Sequence, residues 1–485
     1  MSPTRQLPEH GRPKEEVLAE MRSFRAHDVP WKEGKVFSLV YYAGEDVLQL
    51  LQEASLLYFS ENALNPTAFP SLRRMETEVV AMTASLLGGD EETVGNMTSG
   101  GTESLLLAVK TARDWGREHR PLTGPPEMVL PETAHPAFEK AAHYFDVKSI
   151  RVPVGDDFRA DPEAMARAIT NNTVLMVGSA PSYPQGVIDP IPELAAIAQE
   201  HGILFHVDAC VGGYILPFMR DLGHPLPEFD FRVPGVTSIS ADVHKYGYAA
   251  KGASVILYRN AALRRYQFFA EINWSGGIYA SPSLAGTRPA GPIAAAWAVM
   301  NYLGREGYLR LTSQVMEAVQ KLRAGVNAIP GVEILGDPDA SILALASRQY
   351  DIYEIADEME IRGWHMDRQH RPPSLHLTIM PMHAAIADQF LADLEDAVQA
   401  VRRPSLGRWG RSAVVKGTNV LVRILPRSVV SKTMSLAPKL FKGSAEGSGG
   451  RAAPLYGLMG SLPNRSDVHQ AVLELLDHIF RPPEE

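Results

Sequence analysis

Residues 240–247 read Ser240-Ala241-Asp242-Val243-His244-Lys245-Tyr246-Gly247, and upstream stands His206-Val207-Asp208-Ala209. Each stretch closes an apolar run of strand character, 237–240 and 203–208. In open α/β sheets ligands bind beyond the carboxyl ends of strands, so both stretches fall where a ligand is expected. A lysine directly after a histidine at such an end suits a pyridoxal phosphate (PLP) cofactor. The amine forms a Schiff base with the cofactor aldehyde, and an aspartate holds the pyridine nitrogen protonated so that the ring becomes an electron sink. Alone, Asp208 fits a helix cap or a core salt bridge equally well. A buried unpaired carboxylate is costly, and a desolvated lysine shifts its pKa or finds chemistry. A cofactor that pairs with one and bonds to the other removes both difficulties.

The flanking pattern agrees. From Gly95 onward apolar strand candidates (127–130, 149–152, 173–178, 203–208, 237–240, 254–258) alternate with helix candidates (102–120, 136–144, 161–169, 192–201). Such alternation implies crossover connections and a mostly parallel sheet covered on both faces. Ahead of it, 1–35 reads as a polar arm and loop, 46–58 as a short helix, and 71–87 as a second helix capped by Ser71 and stopped by Gly88-Gly89. Beyond it a helix at 289–310 leads out of the large domain. Residues 311–400 form a second α/β unit with helices at 312–328 and 352–362 and strands at 332–335, 341–345 and 375–378. The expected division is an N-terminal arm and interface segment (1–65), a large domain (66–310) and a small C-terminal domain (311–485).

Composition narrows the class. The 485 residues exceed one compact core and suit a large domain plus a smaller one. A net charge of -9 argues against a global nucleic-acid-binding field. The single Cys210 excludes an intrachain disulfide, fits a reducing compartment, and reads as a small buried hydrophobe rather than a nucleophile. Residues 1–35 hold no apolar signal-peptide core, and the longest apolar run, 293–303, falls short of the ~20 residues of a membrane span. A soluble cytoplasmic protein is expected. Residues 401–452 stand apart, with eleven Lys and Arg residues against one acid, Glu446. They read either as a basic amphipathic segment that touches anionic membrane or as a solvated insertion. The chain regains globular character in a helix at 467–480.

Two further stretches belong with the Lys245 and Asp208 motifs. Thr98-Ser99-Gly100-Gly101-Thr102-Glu103-Ser104 precedes an apolar helix, where glycines let the backbone approach an anion at the positive end of the helix dipole. A Gly-Gly turn before a helix is commonplace, so the motif gains weight only from its neighbours. His135, between a strand and a helix, could cap that helix, or stack on the cofactor ring and move protons. His244 could donate to the cofactor phosphate or pack beneath it.

Across nearly its whole length the chain resembles the sphingosine-1-phosphate lyases, within the group II PLP-dependent decarboxylase-like enzymes. The stretches that carry the resemblance are 98–104 (TSGGTES), 134–145 (AHPAFEKAAHYF), 186–192 (GVIDPIP), 206–213 (HVDACVGG), 229–248 (FDFRVPGVTSISADVHKYGY) and 276–289 (GGIYASPSLAGTRP). The last two set it apart from general amino-acid decarboxylases. The resemblance implies an α/β PLP-dependent transferase of fold type I (aspartate aminotransferase-like). Its large, mostly parallel seven-stranded sheet domain would be joined to a smaller α/β domain, as a homodimer with the site at the subunit interface. It implies Lys245 as the Schiff-base lysine, Asp208 as the pyridinium partner and His135 as the ring-stacking histidine. Gly100, Gly101, Thr102 and His244 would line the phosphate, and Thr287 would reach it from the other subunit. Tyr183 and Tyr41 would lie near the substrate, and Lys251 would meet the substrate phosphate. Asn65 departs from the histidine that eukaryotic members tend to carry, and a eukaryotic-type N-terminal membrane anchor is not seen. The basic stretch 401–452 looks longer than its family counterpart and would take over the anchor's task of reaching a lipid surface.

The implied reaction is retro-aldol cleavage of a phosphorylated sphingoid base to a long-chain aldehyde and phosphoethanolamine. Lys245, Tyr183, Tyr41 and His135 are its candidate acid/base groups. An amino-acid decarboxylase would use the same cofactor residues but break the Cα–carboxylate bond, and carbon dioxide release would reveal it. A non-catalytic membrane-associated binding protein on this fold would have no need of Lys245 and Asp208.

Overall fold

Seven strands build the large sheet, and their order places both motif strands at its centre. The computed structural model describes residues 7–403 apart from Pro66, together with scattered positions between 469 and 480. The basic stretch therefore lies outside the described residues from 404 onward. Within the expected C-terminal helix, positions 469–470, 472–473 and 476–477 are helical.

The chain begins with α1 (Lys14–Phe24), which buries no residue, so the expected polar arm contains a helix. α2 (Glu45–Leu57) and α3 (Pro70–Leu86) follow. Ser71 does not cap α3. Pro70 takes the first helical position, where its missing N–H costs nothing, and Phe69 precedes it. The expected stop holds. Gly88 adopts φ +68 and donates to Ser85, and Gly89 donates back to Ala84, closing the helix with a left-handed glycine.

β1 (Val94–Thr98) leads into α4 (Gly101–His119), and β2 (Glu127–Pro131), α5 (Ala137–Phe145) and β3 (Lys148–Val152) follow. Then come α6 (Pro162–Arg167), β4 (Thr173–Ser179), α7 (Ile191–Glu200), β5 (Leu204–Asp208), α8 (Leu216–Asp221), β6 (Ser238–Ala241) and β7 (Ser254–Tyr258). The sheet order is β1-β7-β6-β5-β4-β2-β3, with β7 alone antiparallel to its neighbours. β1 was not foreseen, because Gly95 and Asn96 are poor strand formers. Packing explains the glycine: a Cβ at 95 would lie 2.3 Å from the carbonyl oxygen of Ile256 on β7.

After α9 (Ala261–Arg264), β8 (Phe269–Glu271) and β9 (Tyr279–Ser281) form a separate hairpin. The two helices expected to meet near residue 311 instead form one long element, α10 (Gly291–Ala328), broken at Gly304. There φ is +54, which glycine alone adopts without strain. The second unit is an antiparallel sheet, β10-β11-β13-β12, made of β10 (Glu333–Ile334), β11 (Ile342–Ala346), β12 (Asp367–His370) and β13 (Pro373–Thr378). α11 (Ile352–Ile361) and α12 (His383–Arg402) complete it. α12 was also missed, although Ala387, Phe390, Leu394, Ala397 and Val398 form its buried stripe at helical spacing. Phe37, from the N-terminal segment, packs between Trp364 and Phe390 and so fastens that segment to the second unit.

Candidate active site

Strand ends and the start of α4 enclose a cavity of about 350 Å³. Gly100, Gly101, Thr102, His135, Tyr183, Asp208, His244 and Lys245 all line it, so eight of the expected site residues converge. Asp208 closes β5, and His244 and Lys245 follow the end of β6. β5 and β6 are parallel neighbours, with Asp208 opposite Ser240.

The phosphate cradle is built from backbone. The N–H groups of Gly101, Thr102 and Glu103 open α4 and have no intrahelical acceptor. A Cβ on Gly101 would lie 2.7 Å from Oδ2 of Asp242 and 2.9 Å from Sγ of Cys210, so only glycine brings the helix this close. Glu103, unforeseen as a structural residue, accepts from the N–H of Ser99 at 2.7 Å and from the N–H of Leu284 at 2.9 Å. It thereby ties the cradle to the loop after β9. Imidazole Cε1 of His244 lies 3.5 Å from the Cβ position of Gly100, so the ring sits beside the cradle.

Asp208 is 7% exposed, and its Oδ1 accepts from the N–H of Cys210 at 3.0 Å and from the Ser240 hydroxyl at 3.4 Å. Both bonds fall on one oxygen, which suits the other to a protonated ring nitrogen. His135 caps α5, its Nδ1 accepting from the N–H of Ala137 at 3.2 Å, and it also lines the cavity. The capping role weighed for it is present, and its ring also borders the cavity. Burial pushes its pKa down, so the ring is neutral with its proton on Nε2. Tyr183 stands edge-on to His135, stacks on His376 of β13 at 4.0 Å, and donates to Asp367 of β12 at 3.3 Å. The second unit thus positions a site residue, which local sequence could not disclose.

Asp242 is the residue that the sequence reading passed over. Its carboxylate is 2% exposed, with Oδ2 2.9 Å from Nζ of Lys245 and 3.8 Å from Nε2 of His244, while Oδ1 has no hydrogen-bond partner. Burial alone would lower the Lys245 pKa, but the Asp242 charge overrides it and holds the amine above the ordinary lysine value. Burial would likewise raise Asp242, and the Lys245 charge holds it below the usual carboxylate range.

Four expected residues lie outside the cavity lining. Tyr41 packs edge-on against Tyr246 at 4.9 Å, and Nζ of Lys251 lies 5.2 Å from the Tyr41 ring centre and 3.2 Å from the His244 carbonyl oxygen. These two sit just beyond Lys245. Thr287 accepts from Asn62 at 3.4 Å. Asn65 accepts from the N–H groups of Thr67 and Ala68, bracing the turn before α3. Among the described residues no His, Cys, Asp and Glu group could hold a metal ion.

The cradle, the half-satisfied Asp208 carboxylate and the buried amine fit PLP, and fold and site together define a PLP-dependent enzyme of the decarboxylase-like class. The family model for the pyridoxal-dependent decarboxylase conserved domain matches residues 2–345. A sphingosine-1-phosphate lyase from Oryza sativa subsp. japonica is 43% identical over 470 residues, 95% of this chain and 79% of its own length. Sphingosine-1-phosphate lyase 1 from Rattus norvegicus is 46% identical over 412 residues, 84% of this chain and 72% of its own. The solved sphingosine-1-phosphate lyase of Burkholderia pseudomallei K96243 superposes with a TM-score of 0.80 at 40% identity, covering 85% of this chain and 97% of that one. This chain belongs to the sphingosine-1-phosphate lyases of the pyridoxal-dependent decarboxylase family.

Proposed function

We propose that this enzyme cleaves the Cα–Cβ bond of sphingoid base 1-phosphates, releasing a long-chain aldehyde and phosphoethanolamine. The convergence of Lys245, Asp208 and His135 beside the Gly100–Gly101 cradle carries the reading. When bound, PLP supplies the electron sink for the pair released as Cα–Cβ breaks. Asp208 would keep the ring nitrogen charged, and the start of α4 with His244 would hold the phosphate. The substrate hydroxyl must lose a proton and Cα must gain one. With Nδ1 engaged by the Ala137 N–H, His135 offers the cavity an N–H. The Tyr41 hydroxyl, pushed up to about 12 by burial, and that of Tyr183, raised further by burial and Asp367, also keep their protons at neutral pH. His135 and Tyr41 therefore hold a proton to offer, while that of Tyr183 is engaged by Asp367. The Lys245 amine, when free, would be the group suited to accept the hydroxyl proton. The test is a paired assay on purified protein. A visible cofactor band, with aldehyde and phosphoethanolamine formed from a sphingoid base 1-phosphate, is expected. The band with carbon dioxide release from an amino acid, and neither product, would overturn the reading.

Lys251 is assigned to the substrate phosphate. Burial, reinforced by repulsion from Lys245, pushes its pKa down to about 8. It is cationic below that pH and neutral above it, so KM for the phosphorylated substrate is expected to rise between pH 7.5 and 9. Lys251→Gln should raise KM at pH 7.5 by roughly tenfold or more, the worth of a hydrogen bond to a charged group, and abolish that rise. An unchanged pH profile in the variant would reject the assignment.

A homodimer completes the site in this proposal. Phe268, Phe269, Ile272, Trp274, Ile278 and Leu284 are exposed apolar residues on and around the β8–β9 hairpin. They adjoin Thr287, the residue assigned to a second copy's phosphate. Exposed large apolar residues concentrated in one short segment mark an interaction surface. Trp274→Asp is expected to give a monomer by sedimentation, with cofactor affinity lowered, and a dimer with normal affinity would refute this interface.

A cytoplasmic location is part of the proposal, supported by the single buried, unpaired Cys210. No described helix is long and apolar enough to cross a membrane. Peripheral contact is assigned to the basic stretch 401–452. Deleting 404–450 should weaken binding to anionic liposomes, and unchanged binding would sink the assignment.

A further inference from the structure

Lys245 has two chemical duties that conflict. To bond an aldehyde carbon its amine must be neutral, because only the free amine has a lone pair to attack. To take a proton from the substrate hydroxyl and deliver one to Cα it must also be stable as an ammonium, inside a site that is largely desolvated. Burial favours the neutral form. Something must supply the opposite bias and hold the side chain in place while it is not covalently engaged.

We propose that Asp242 is the positioning residue that makes Lys245 a proton carrier, holding its ammonium by a buried ion pair whenever the amine is free. This rests on the reading of Lys245 as the covalent lysine. The geometry is specific. The two groups are three residues apart, and Nζ and Oδ2 are 2.9 Å apart. The carboxylate is 2% exposed and the lysine side chain 21% exposed, so solvent screens the pair little. Oδ1 is buried and has no hydrogen-bond partner, so Lys245 is the nearest compensating cation the carboxylate has. Gly101 leaves the space that both carboxylate oxygens fill.

The other groups facing the pair do not supply the same bias. His244 is held mostly neutral by burial. His135 is also neutral, and Lys251 repels the ammonium. Cys210 and Tyr41 are held protonated by burial. Asp208 makes no ion pair with Lys245, and its Oδ1 is held by the Cys210 N–H and the Ser240 hydroxyl. In the reaction the proton count closes. Lys245 arrives neutral, takes the hydroxyl proton, pairs with Asp242 as ammonium, and gives one proton to Cα.

The test uses PLP-free protein and reductive methylation with formaldehyde and cyanoborohydride, read at Lys245 by peptide mass spectrometry from pH 6.5 to 9.5. The free amine condenses with formaldehyde, water leaves, and cyanoborohydride supplies the hydride that fixes the product. Wild-type Lys245 should label slowly at pH 7.5 compared with Lys148, whose side chain is exposed. Asp242→Asn should raise the Lys245 rate at pH 7.5 by about tenfold or more, equivalent to a pKa lower by about one unit or more. Asp242→Glu, which keeps the charge, should return toward the wild-type profile. Cys210, buried beside Asp242, should stay unreactive to a thiol reagent in every variant, showing that the site has not opened. If Asp242→Asn does expose Cys210, the Asp242→Glu variant decides: a Lys245 labelling rate that stays near wild type supports the proposal, and one raised to the Asp242→Asn level overturns it. Superimposable wild-type and Asp242→Asn profiles would also overturn it. The reading it rests on is tested separately, by borohydride trapping of PLP on wild-type protein. Failure to modify Lys245 there would reject the covalent lysine, whatever the labelling profiles show.

Discussion

Asp208→Asn is expected to fold normally, bind PLP and lose roughly a thousandfold or more in kcat, the scale on which a preorganised electrostatic partner of the reacting system contributes. The fold should survive because the asparagine Oδ1 can still accept from the Cys210 N–H and the Ser240 hydroxyl, the two bonds that fix this side chain. What disappears is the negative charge. A neutral amide cannot hold the pyridine nitrogen protonated, and an unprotonated ring accepts the electron pair from Cα far less readily. His206, two residues earlier on β5, cannot take over. Burial pushes its pKa down to about 4, and its ring nitrogens are engaged with the Ser238 and Ser240 hydroxyls. The measurements are kcat under saturating substrate, the cofactor absorbance band and the thermal midpoint. Near-normal turnover with PLP bound would reject Asp208 as the ring partner.

The parts of this site that were legible in sequence share a property: they are carried on short local segments whose chemistry and position are read together. The run ending at Asp208 and the run ending before His244-Lys245 are apolar strands followed by charged residues. A parallel sheet fixes where those residues emerge, so eight expected residues meet in one cavity. What escaped depends on distant partners. Asp242 stood inside the quoted motif, but its importance lies in the 2.9 Å contact with Lys245 and in an oxygen left without a partner, neither of which spacing reveals. β1 was hidden because Gly95, unfavourable for a strand, is required by the β7 backbone. Asp367 and His376 hold Tyr183 from a sheet more than 180 residues away in sequence. Pro70 displaced Ser71 at the start of α3 because a proline at the first helical position competes with any cap reading one residue later. α12 was an oversight of a different kind, since its apolar stripe is plain in the sequence.

Lys245→Ala should abolish the covalent cofactor band and turnover, and it should also destabilise the protein in a way that identifies its partner. Removing the lysine leaves Asp242 as a buried carboxylate with no ion pair at 2.9 Å, and breaking a buried pair by deleting one side costs about 3–5 kcal/mol. The pH dependence has a defined sign. In the wild type the Asp242 pKa is lowered, so the pair contributes stability at neutral pH that is lost as pH falls through the folded-state value. In the variant, burial is left as the dominant influence and raises that pKa above its unfolded value. The ionised carboxylate is then a penalty at neutral pH, and protonation relieves it as pH falls. The stability gap between wild type and Lys245→Ala should therefore be widest near neutral pH and narrow on acidification. Adding Asp242→Asn to Lys245→Ala should recover much of the loss at neutral pH, because the pair is then replaced by two uncharged groups. Denaturant unfolding of the four PLP-free proteins at pH 7.5 and at mildly acid pH measures the coupling directly. Single-variant losses that simply add would mean that the carboxylate finds another cation when Lys245 is gone, with His244, 3.8 Å away, the group in position to provide it.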